Sequence, residues 1–486
     1  MAVPLFRVPD LPGMNPLDRP SQEYRAVYQR VTELALGLLA ELNQLPSFPN
    51  ITGEESLGLF VQPLPEEGLG PFALDDLRKV IEASRPPSPR FFGYVLGSGE
   101  PIAAAVDLLA SVLNQNVTAW RSGPAAAAIE EVTIDWLTQA IACRGFVGSL
   151  TGGGSIANLM GLAMAREKCL PANEAGSYPF GTVYASEQVH MSIPKAVAIL
   201  GLGRQHLRLV PCDNDFRIRL DLLQKAIDDD LRTGMIPIAV VGSAGTVNTG
   251  SVDPLRELAR IAKSCGAWFH VDGAYGALAA MARPELFDGL DLADSISLDP
   301  HKWLYQPLDC GCLLYHDRTA ARKAFSFTGD YAKSLLENPI ESFAFFEETL
   351  ELSRRFRALK LWLSLRYHGI GAFRQQINND CELAAHLARL VEQADELELM
   401  APVPLSAVCF RFMPRTPALS EAQLDKVNLK ILNRVQRGGR VFISNATIRG
   451  RFALRACIVN HRSTTADVEA VADEVVTVGR AILSEA

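Results

Sequence analysis

The sequence predicts an α/β protein in which a mostly parallel sheet is preceded by a helical arm and followed by a smaller α+β unit. Short β-branched and apolar runs at Thr182–Tyr184, Ile236–Val241, Trp268–Val271 and Ser295–Leu298 alternate with helix-length periodic segments. That alternation is the mark of βαβ units. With 486 residues, 48% of them apolar and 21% charged, the chain can bury a core of this size.

Taken in order, Tyr24, Val27, Tyr28, Val31, Leu34, Ala35 and Leu38 recur at helical spacing and give an amphipathic helix from Ser21 to Leu45, with Ser21 as N-cap. A Pro/Gly-rich stretch from Pro46 to Pro71 leads to a second helix over Leu74–Ala83, stopped by Pro86, Pro87 and Pro89. Residues 1–85 therefore read as a helical arm, 86–370 as a large α/β domain and 371–486 as a small α+β domain. Within the last, a helix over Ala372–Glu396 precedes a strand at Val408–Met413 and a helix at Ala422–Gln436. Strands at Arg440–Ser444 and Ala453–Val459 and a helix from Thr465 complete it.

Several function classes drop out. Lys plus Arg number 47 against 55 Asp plus Glu, a net charge of −8, so there is no basic field for nucleic acid or an anionic membrane. The nine cysteines include no CxxC pair, and Cys310 and Cys312 match no zinc spacing. They read as reduced thiols, with no metal site and a cytoplasmic location expected. There is no leader pattern and no apolar run of about 18 residues, so no membrane partner is expected either.

Three motifs carry chemistry. Leu150-Thr-Gly-Gly-Gly-Ser-Ile-Ala-Asn158 lies between an apolar stretch and a helical pattern. Its glycines allow backbone N–H groups to approach a phosphate, and Ser155 can add a hydroxyl at a helix N-terminus. It lacks the Walker A lysine and is not GxGxxG, so alone it serves equally well as an ordinary turn. Trp268-Phe-His-Val-Asp-Gly-Ala-Tyr275 ends an apolar strand in an acid, Asp272, which would point into the ligand crevice of an α/β sheet or simply cap the strand. Ser297-Leu-Asp-Pro-His-Lys-Trp303 puts Lys302 directly after a strand, where a lysine is commonly solvated. Their order narrows these choices. A glycine cradle, a histidine, a strand-end Asp and then a His-Lys pair are what pyridoxal phosphate requires: a lysine to hold it and an acid to keep its ring nitrogen protonated.

With these motifs the chain resembles the group II pyridoxal-phosphate-dependent amino-acid decarboxylases, the family of the aromatic-L-amino-acid, histidine, glutamate and cysteine-sulfinate enzymes. The resemblance runs through Pro89-Arg-Phe-Phe-Gly-Tyr94, Thr151–Asn158, Ser186-Glu-Gln-Val-His190, His270–Tyr275, Asp299-Pro-His-Lys-Trp303 and Arg354-Arg-Phe-Arg-Ala-Leu-Lys360. It implies fold type I, the aspartate-aminotransferase-like fold with a seven-stranded mostly parallel sheet, and a homodimer clasped by the arm. It also implies the cofactor pyridoxal 5'-phosphate and no metal.

Carried over by the resemblance, Lys302 is the Schiff-base lysine, Asp272 the partner of the ring nitrogen and His190 the imidazole stacked on the ring. Gly153, Gly154, Ser155 and Thr246 would hold the phosphate, and Ala274 would pack on the other ring face. Asp299 and His301, just before the lysine, are carried over as cofactor-binding residues, and His301 is either a catalytic group that helps position the site or a structural one. Tyr331, in the aperiodic segment Phe325–Glu341, would be the proton donor, and a tyrosine there favours decarboxylation over aldehyde synthesis. His270 reads as a core residue and Arg455 as a structural one. Phe91, Phe92, Tyr94, Trp120 and Ser353 suit an aromatic substrate side chain, whereas Arg90 and Arg121 could meet an acidic one. The expected reaction is decarboxylation of an L-amino acid, most readily an aromatic one, to its amine. An acidic substrate, an aldehyde synthase or transaminase reaction, and a catalytically silent binding partner are the alternatives.

Overall fold

The computed structural model describes residues 17–176, 179–327, 338 and 340–485. Its centre is a seven-stranded sheet made of β1 (Val147–Thr151), β2 (Gly181–Ser186), β3 (Leu207–Val210), β4 (Ile236–Ser243), β5 (Trp268–Asp272), β6 (Ser295–Leu298) and β7 (Gly311–Tyr315). The spatial order is β1-β7-β6-β5-β4-β2-β3. Every pairing is parallel except those of β7, which runs antiparallel to both β1 and β6. Because β7 alone is reversed, β1, β2, β5 and β6 all end at one edge. β4 is apolar almost throughout, and β5 and β6 are buried along their whole length even where they carry His270, Asp272, Ser295 and Ser297, as strands covered on both faces are.

A four-stranded antiparallel sheet follows, with β8 (Leu397–Leu399), β9 (Ala407–Phe412), β10 (Ser444–Ile448) and β11 (Arg451–Cys457) in the order β10-β11-β9-β8. The expected strand Arg440–Ser444 is thus displaced: residues 440–443 lead in, and the ladder begins where that strand was expected to end. The tight Arg449-Gly450 reversal, both residues at positive φ, sets the register from the other side.

Helix Ile370–Gln393 belongs to both cores. Phe373, Ile377 and Cys381 pack in the core of the large sheet, while Leu383, Leu387 and Val391 pack in that of the small one. Residue 371 therefore stands at the head of a helix that joins two cores. The strap at Phe91–Phe92 also crosses over: Phe92 N–H donates to the Phe442 carbonyl, and Cys457 N–H donates to that of Phe92.

In the arm, the first helix spans Ser21–Glu41, and Ser21 is its first helical residue; the cap position is Pro20, which offers no side-chain acceptor. A helix at Gly53–Phe60 interrupts the expected Pro/Gly-rich connection. Thr52 and Glu55 form a reciprocal capping box that supplies its start. The helix expected over Leu74–Ala83 is a 3-10 turn, Gly70–Asp75, followed by an α-helix, Asp76–Ala83. No residue of these elements is buried. No described helix is long and apolar enough to cross a membrane.

The end of β1 is held by a buried ion pair. Glu130 Oε1 accepts from Leu150 N–H and pairs with Arg354, whose guanidinium also donates to the carbonyls of Leu150 and Val117. Both side chains are essentially without solvent. Removing one partner leaves a buried charge uncompensated, which costs far more than an exposed pair. We expect Arg354→Met to lower unfolding free energy by about 3–5 kcal/mol in a urea titration; an unchanged midpoint would show that the pair is dispensable.

Candidate active site

The carboxyl ends of β1, β2, β5 and β6 lie along one edge of the sheet, the usual ligand position of an α/β fold. After β1 the chain turns through Gly152–Gly153 into the helix Gly154–Cys169. Gly153 sits at φ +133°, a conformation that side chains resist. A Cβ on Gly154 would come within 2.6 Å of the Ala274 methyl and 3.0 Å of Asp299 Oδ2. Glycine at this point lets the loop close on both. The helix start leaves amide N–H groups without intrahelical carbonyls, a ready anion site.

β5 ends in Asp272, which is buried. Its Oδ1 accepts from Ala274 N–H and from the Ser297 hydroxyl, both at 3.2 Å. After β6, Asp299 and Pro300 open a short helical turn carrying His301 and Lys302. Lys302 Nζ lies 2.9 Å from Asp299 Oδ2, and its side chain is 17% exposed. Asp299 Oδ1 is buried with no hydrogen-bond partner among the described residues. The His301 ring is buried, its Nδ1 2.8 Å from the Cys310 carbonyl oxygen and its Nε2 3.5 Å from Asp299. Burial pushes the His301 pKa down against the pull of Asp299.

His190 follows β2. Burial depresses its pKa; Asp272 and Asp299 oppose that shift, and Lys302 and Lys195 add to it. The imidazole thus shares its electrostatic surroundings with the strand-end acid and the lysine. The Thr246 hydroxyl is buried inside its own turn, accepting from Ser251 N–H and 2.9 Å from Thr249 Oγ1. Ser155 is exposed and Ala274 half-buried.

The residues expected to receive a substrate side chain differ in their surroundings, although Phe91 and Tyr94 gather around Phe442 with their ring centroids 6.4 Å apart. Phe92 is fully buried in the core of the small sheet with Val408, Phe410 and Leu454, so it is a packing residue. Phe91 is closed on both sides, stacked on Phe442 at 4.7 Å with the Arg85 guanidinium 4.1 Å from its ring centroid. Tyr94 is 60% exposed, Trp120 half-buried against the large core, and Ser353 exposed. Arg90 pairs with Asp467 at 2.8 Å, which occupies one of the two cations considered for an acidic substrate. Tyr331 lies outside the described residues.

Other groups near the site stand in or beside the motifs, but their partnerships leave no pattern in the spacing. A Cβ on Gly152 would lie 3.3 Å from Asp309 Oδ2 and 3.8 Å from an Arg357 nitrogen, so this ion pair lies alongside the glycine loop. Asn158 and His270 join a buried hydrogen-bond chain leading to His190. Only three-dimensional proximity unites these residues. Arg455 is buried, donating to the Val247 carbonyl and the Ser444 hydroxyl.

Residues 73–413 match the family model described as the pyridoxal-dependent decarboxylase conserved domain. The aromatic-L-amino-acid decarboxylase of Bacillus atrophaeus is 32% identical over 471 residues, covering 94% of this chain and 96% of that protein. The phenylacetaldehyde synthase of Petunia hybrida is 32% identical over 388 residues, 76% of each chain. Among solved structures, Oryza sativa TDC with PLP and tryptamine superimposes with a TM-score of 0.90 at 26% identity, covering 96% of this chain and 99% of that one.

The residues present fit pyridoxal phosphate. A glycine loop that a Cβ would obstruct, a crevice lysine, a strand-end carboxylate with one oxygen already oriented, and an unpartnered buried oxygen on Asp299 together form the expected donor set. Asp299 is the discordant member, since its carboxylate adjoins the loop that would hold the anionic phosphate. We expect Asp299→Asn to lower the cofactor dissociation constant severalfold in a fluorescence titration at low salt, with the gain shrinking as salt rises. Weaker binding would mean that the carboxylate contributes more by holding Lys302 than it costs beside the phosphate.

Proposed function

The chain belongs to the pyridoxal-dependent decarboxylase family, and from that premise we propose that it converts an aromatic L-amino acid to its amine and carbon dioxide. The observation that carries this reading is the meeting of Lys302, Asp272 and His190 at one sheet edge beside the glycine loop.

When bound, pyridoxal phosphate supplies a conjugated ring that accepts the electron pair released as carbon dioxide leaves. The chain's own residues do the rest. Lys302 is the amine that would anchor the cofactor's carbonyl, and Asp299, 2.9 Å away, keeps its Nζ in place. Asp272, with Oδ1 already engaged, offers Oδ2 to hold a proton at the ring nitrogen. Gly153, Gly154 and Ser155 would receive the phosphate at the helix start, with Thr246 nearby in its own turn. Ala274 and His190 would flank the ring, and His301 would steady Asp299. Tyr331 enters as proton donor on the resemblance alone.

An aromatic side chain is favoured because Arg90 is committed to Asp467 and because decarboxylases named for aromatic amino acids match the chain almost end to end. Amine rather than aldehyde is the product proposed. The similarity to an aldehyde synthase makes the second outcome a specific alternative. A panel of L-amino acids assayed for carbon dioxide, amine and oxygen uptake separates them. We expect carbon dioxide and amine in equal amounts from Phe, Tyr, Trp or a hydroxylated relative, with no oxygen uptake and no turnover by Lys302→Ala. Release confined to glutamate or aspartate would overturn the substrate class, and aldehyde with oxygen uptake would overturn the product.

The proposed assembly is a homodimer, with 1–85 as the clasping arm, 86–370 holding the cofactor and 371–486 closing the site. The arm supports it: Tyr24, Tyr28, Val31, Leu36, Leu57 and Phe60 are all exposed, more apolar surface than a lone arm should leave in water. All nine cysteines are thiols, which suits a reducing, cytoplasmic setting. Removal of residues 1–83 is expected to yield monomer or aggregate in sedimentation; a stable, active dimer of the truncated chain would rule out the clasp.

A further inference from the structure

A continuous chain of buried side chains runs from β5 to His190. Trp268 Nε1–H, which can only donate, is 2.8 Å from Ser295 Oγ. Ser295 Oγ is 2.8 Å from His270 Nδ1, and His270 Nε2 is 2.9 Å from Asn158 Oδ1. Asn158 Nδ2 donates to Ser192 Oγ at 2.9 Å, and Ser192 Oγ lies 2.8 Å from His190 Nδ1. Ser295, His270 and Asn158 are wholly buried, Ser192 and Trp268 nearly so. The links span 112 residues of sequence between His270 and Asn158.

The two ends give the chain a direction. Asn158 Oδ1 only accepts, so His270 carries its proton on Nε2. Burial disfavours the charged His270 ring, and with its proton on Nε2 the bare Nδ1 accepts the Ser295 O–H. At the other end Ser192 Oγ accepts from Asn158, and among the described residues His190 Nδ1 is the one remaining partner of that buried hydroxyl, so its own proton goes there. The Ser192 backbone N–H, 3.3 Å away, is directed at the same nitrogen. Two donors therefore converge on Nδ1 of His190, and a neutral ring there must carry its proton on Nε2. The charged groups around it are Asp272, Asp299, Lys302 and Lys195.

We propose that Trp268, Ser295, His270, Asn158 and Ser192 are positioning residues that hold His190 as its Nε2–H tautomer, so that the imidazole presents the site with a hydrogen-bond donor and not a base. A base at Nε2 would need a proton on Nδ1, which both Ser192 donors oppose. A substrate carboxylate or other anionic oxygen fits a donor at that position. The inference deepens the proposed decarboxylase reading and rests on it for the orientation of His190 toward the cofactor.

Ring-15N-labelled histidine in the cofactor-loaded enzyme tests it, with the His190 signal identified by its loss in His190→Gln. Long-range 1H–15N correlations distinguish a bare from a protonated ring nitrogen. We expect wild type to show bare Nδ1 and protonated Nε2. Asn158→Asp replaces the amide donor with an acceptor that turns the Ser192 hydroxyl away, so the pattern should invert or become mixed and His190 should titrate at higher pH. Ser192→Ala should erode the pattern and Ser192→Thr restore it. In Asn158→Asp and Ser192→Ala, kcat should fall about tenfold with KM within about twofold, the scale of one lost hydrogen bond. A wild-type ring protonated on Nδ1, or an Nε2–H pattern untouched by Asn158→Asp, would overturn the relay. If Asn158→Asp does not fold, the Ser192 pair decides, and an identical pattern in Ser192→Ala and wild type overturns it. The tautomer is read independently of turnover. The relay pattern without carbon dioxide release would sink the decarboxylase reading alone, and release with the opposite tautomer would sink the relay alone.

Discussion

The constraint on which the site depends is the turn after β6, which holds Lys302 Nζ in place, 2.9 Å from Asp299 Oδ2. That turn is fixed from every side. Pro300 opens it at a position where a missing N–H costs nothing, and Tyr305 ends it in the left-handed region at φ +52°. The Tyr305 hydroxyl is tied to Asp380 on the helix that joins the two cores. The strap through Gly97 passes so close that a Cβ there would meet the His301 carbonyl at 2.3 Å. A flexible lysine thereby becomes a group with a defined position, which is what a reacting amine needs.

Neighbouring charges follow from the same geometry. Asp299 is drawn to the lysine yet adjoins the glycine loop, so one carboxylate serves the amine and borders the loop proposed to hold the phosphate. Asp272 keeps one oxygen engaged by Ser297 from the adjacent strand, a link that exists because β5 and β6 pair in parallel with Asp272 opposite Ser297. On its other flank β5 carries His270, two residues earlier and on the same face, into the buried chain that orients His190. A single strand therefore positions both the acid and, at a distance, the imidazole.

Much of this was legible in the sequence, for physical reasons. β5 is a short run rich in aromatic and β-branched residues and β6 a short run with Ile296 and Leu298 alternating with serines, and their ends coincide with Asp272 and the Asp299-Pro300 turn, where pattern and turn chemistry agree. The helix Gly53–Phe60 was hidden because prolines and glycines dominate its surroundings; its evidence was the Thr52–Glu55 spacing. Phe92 reads as a pocket residue from its place beside Phe91 and Tyr94 in a motif, yet alternation along the strap turns it into the small core. The chain through Asn158 and His270 left no trace in spacing, since its contacts join β5, β6 and two helices far apart in sequence.

The most direct test is to reduce the purified, cofactor-loaded enzyme with borohydride and map the labelled peptide by mass. A pyridoxyl adduct on Lys302 alone is the result this account predicts. An adduct on another lysine, such as Lys195 or Lys360, or none on any, would contradict the claim that the turn after β6 is where the chemistry takes place.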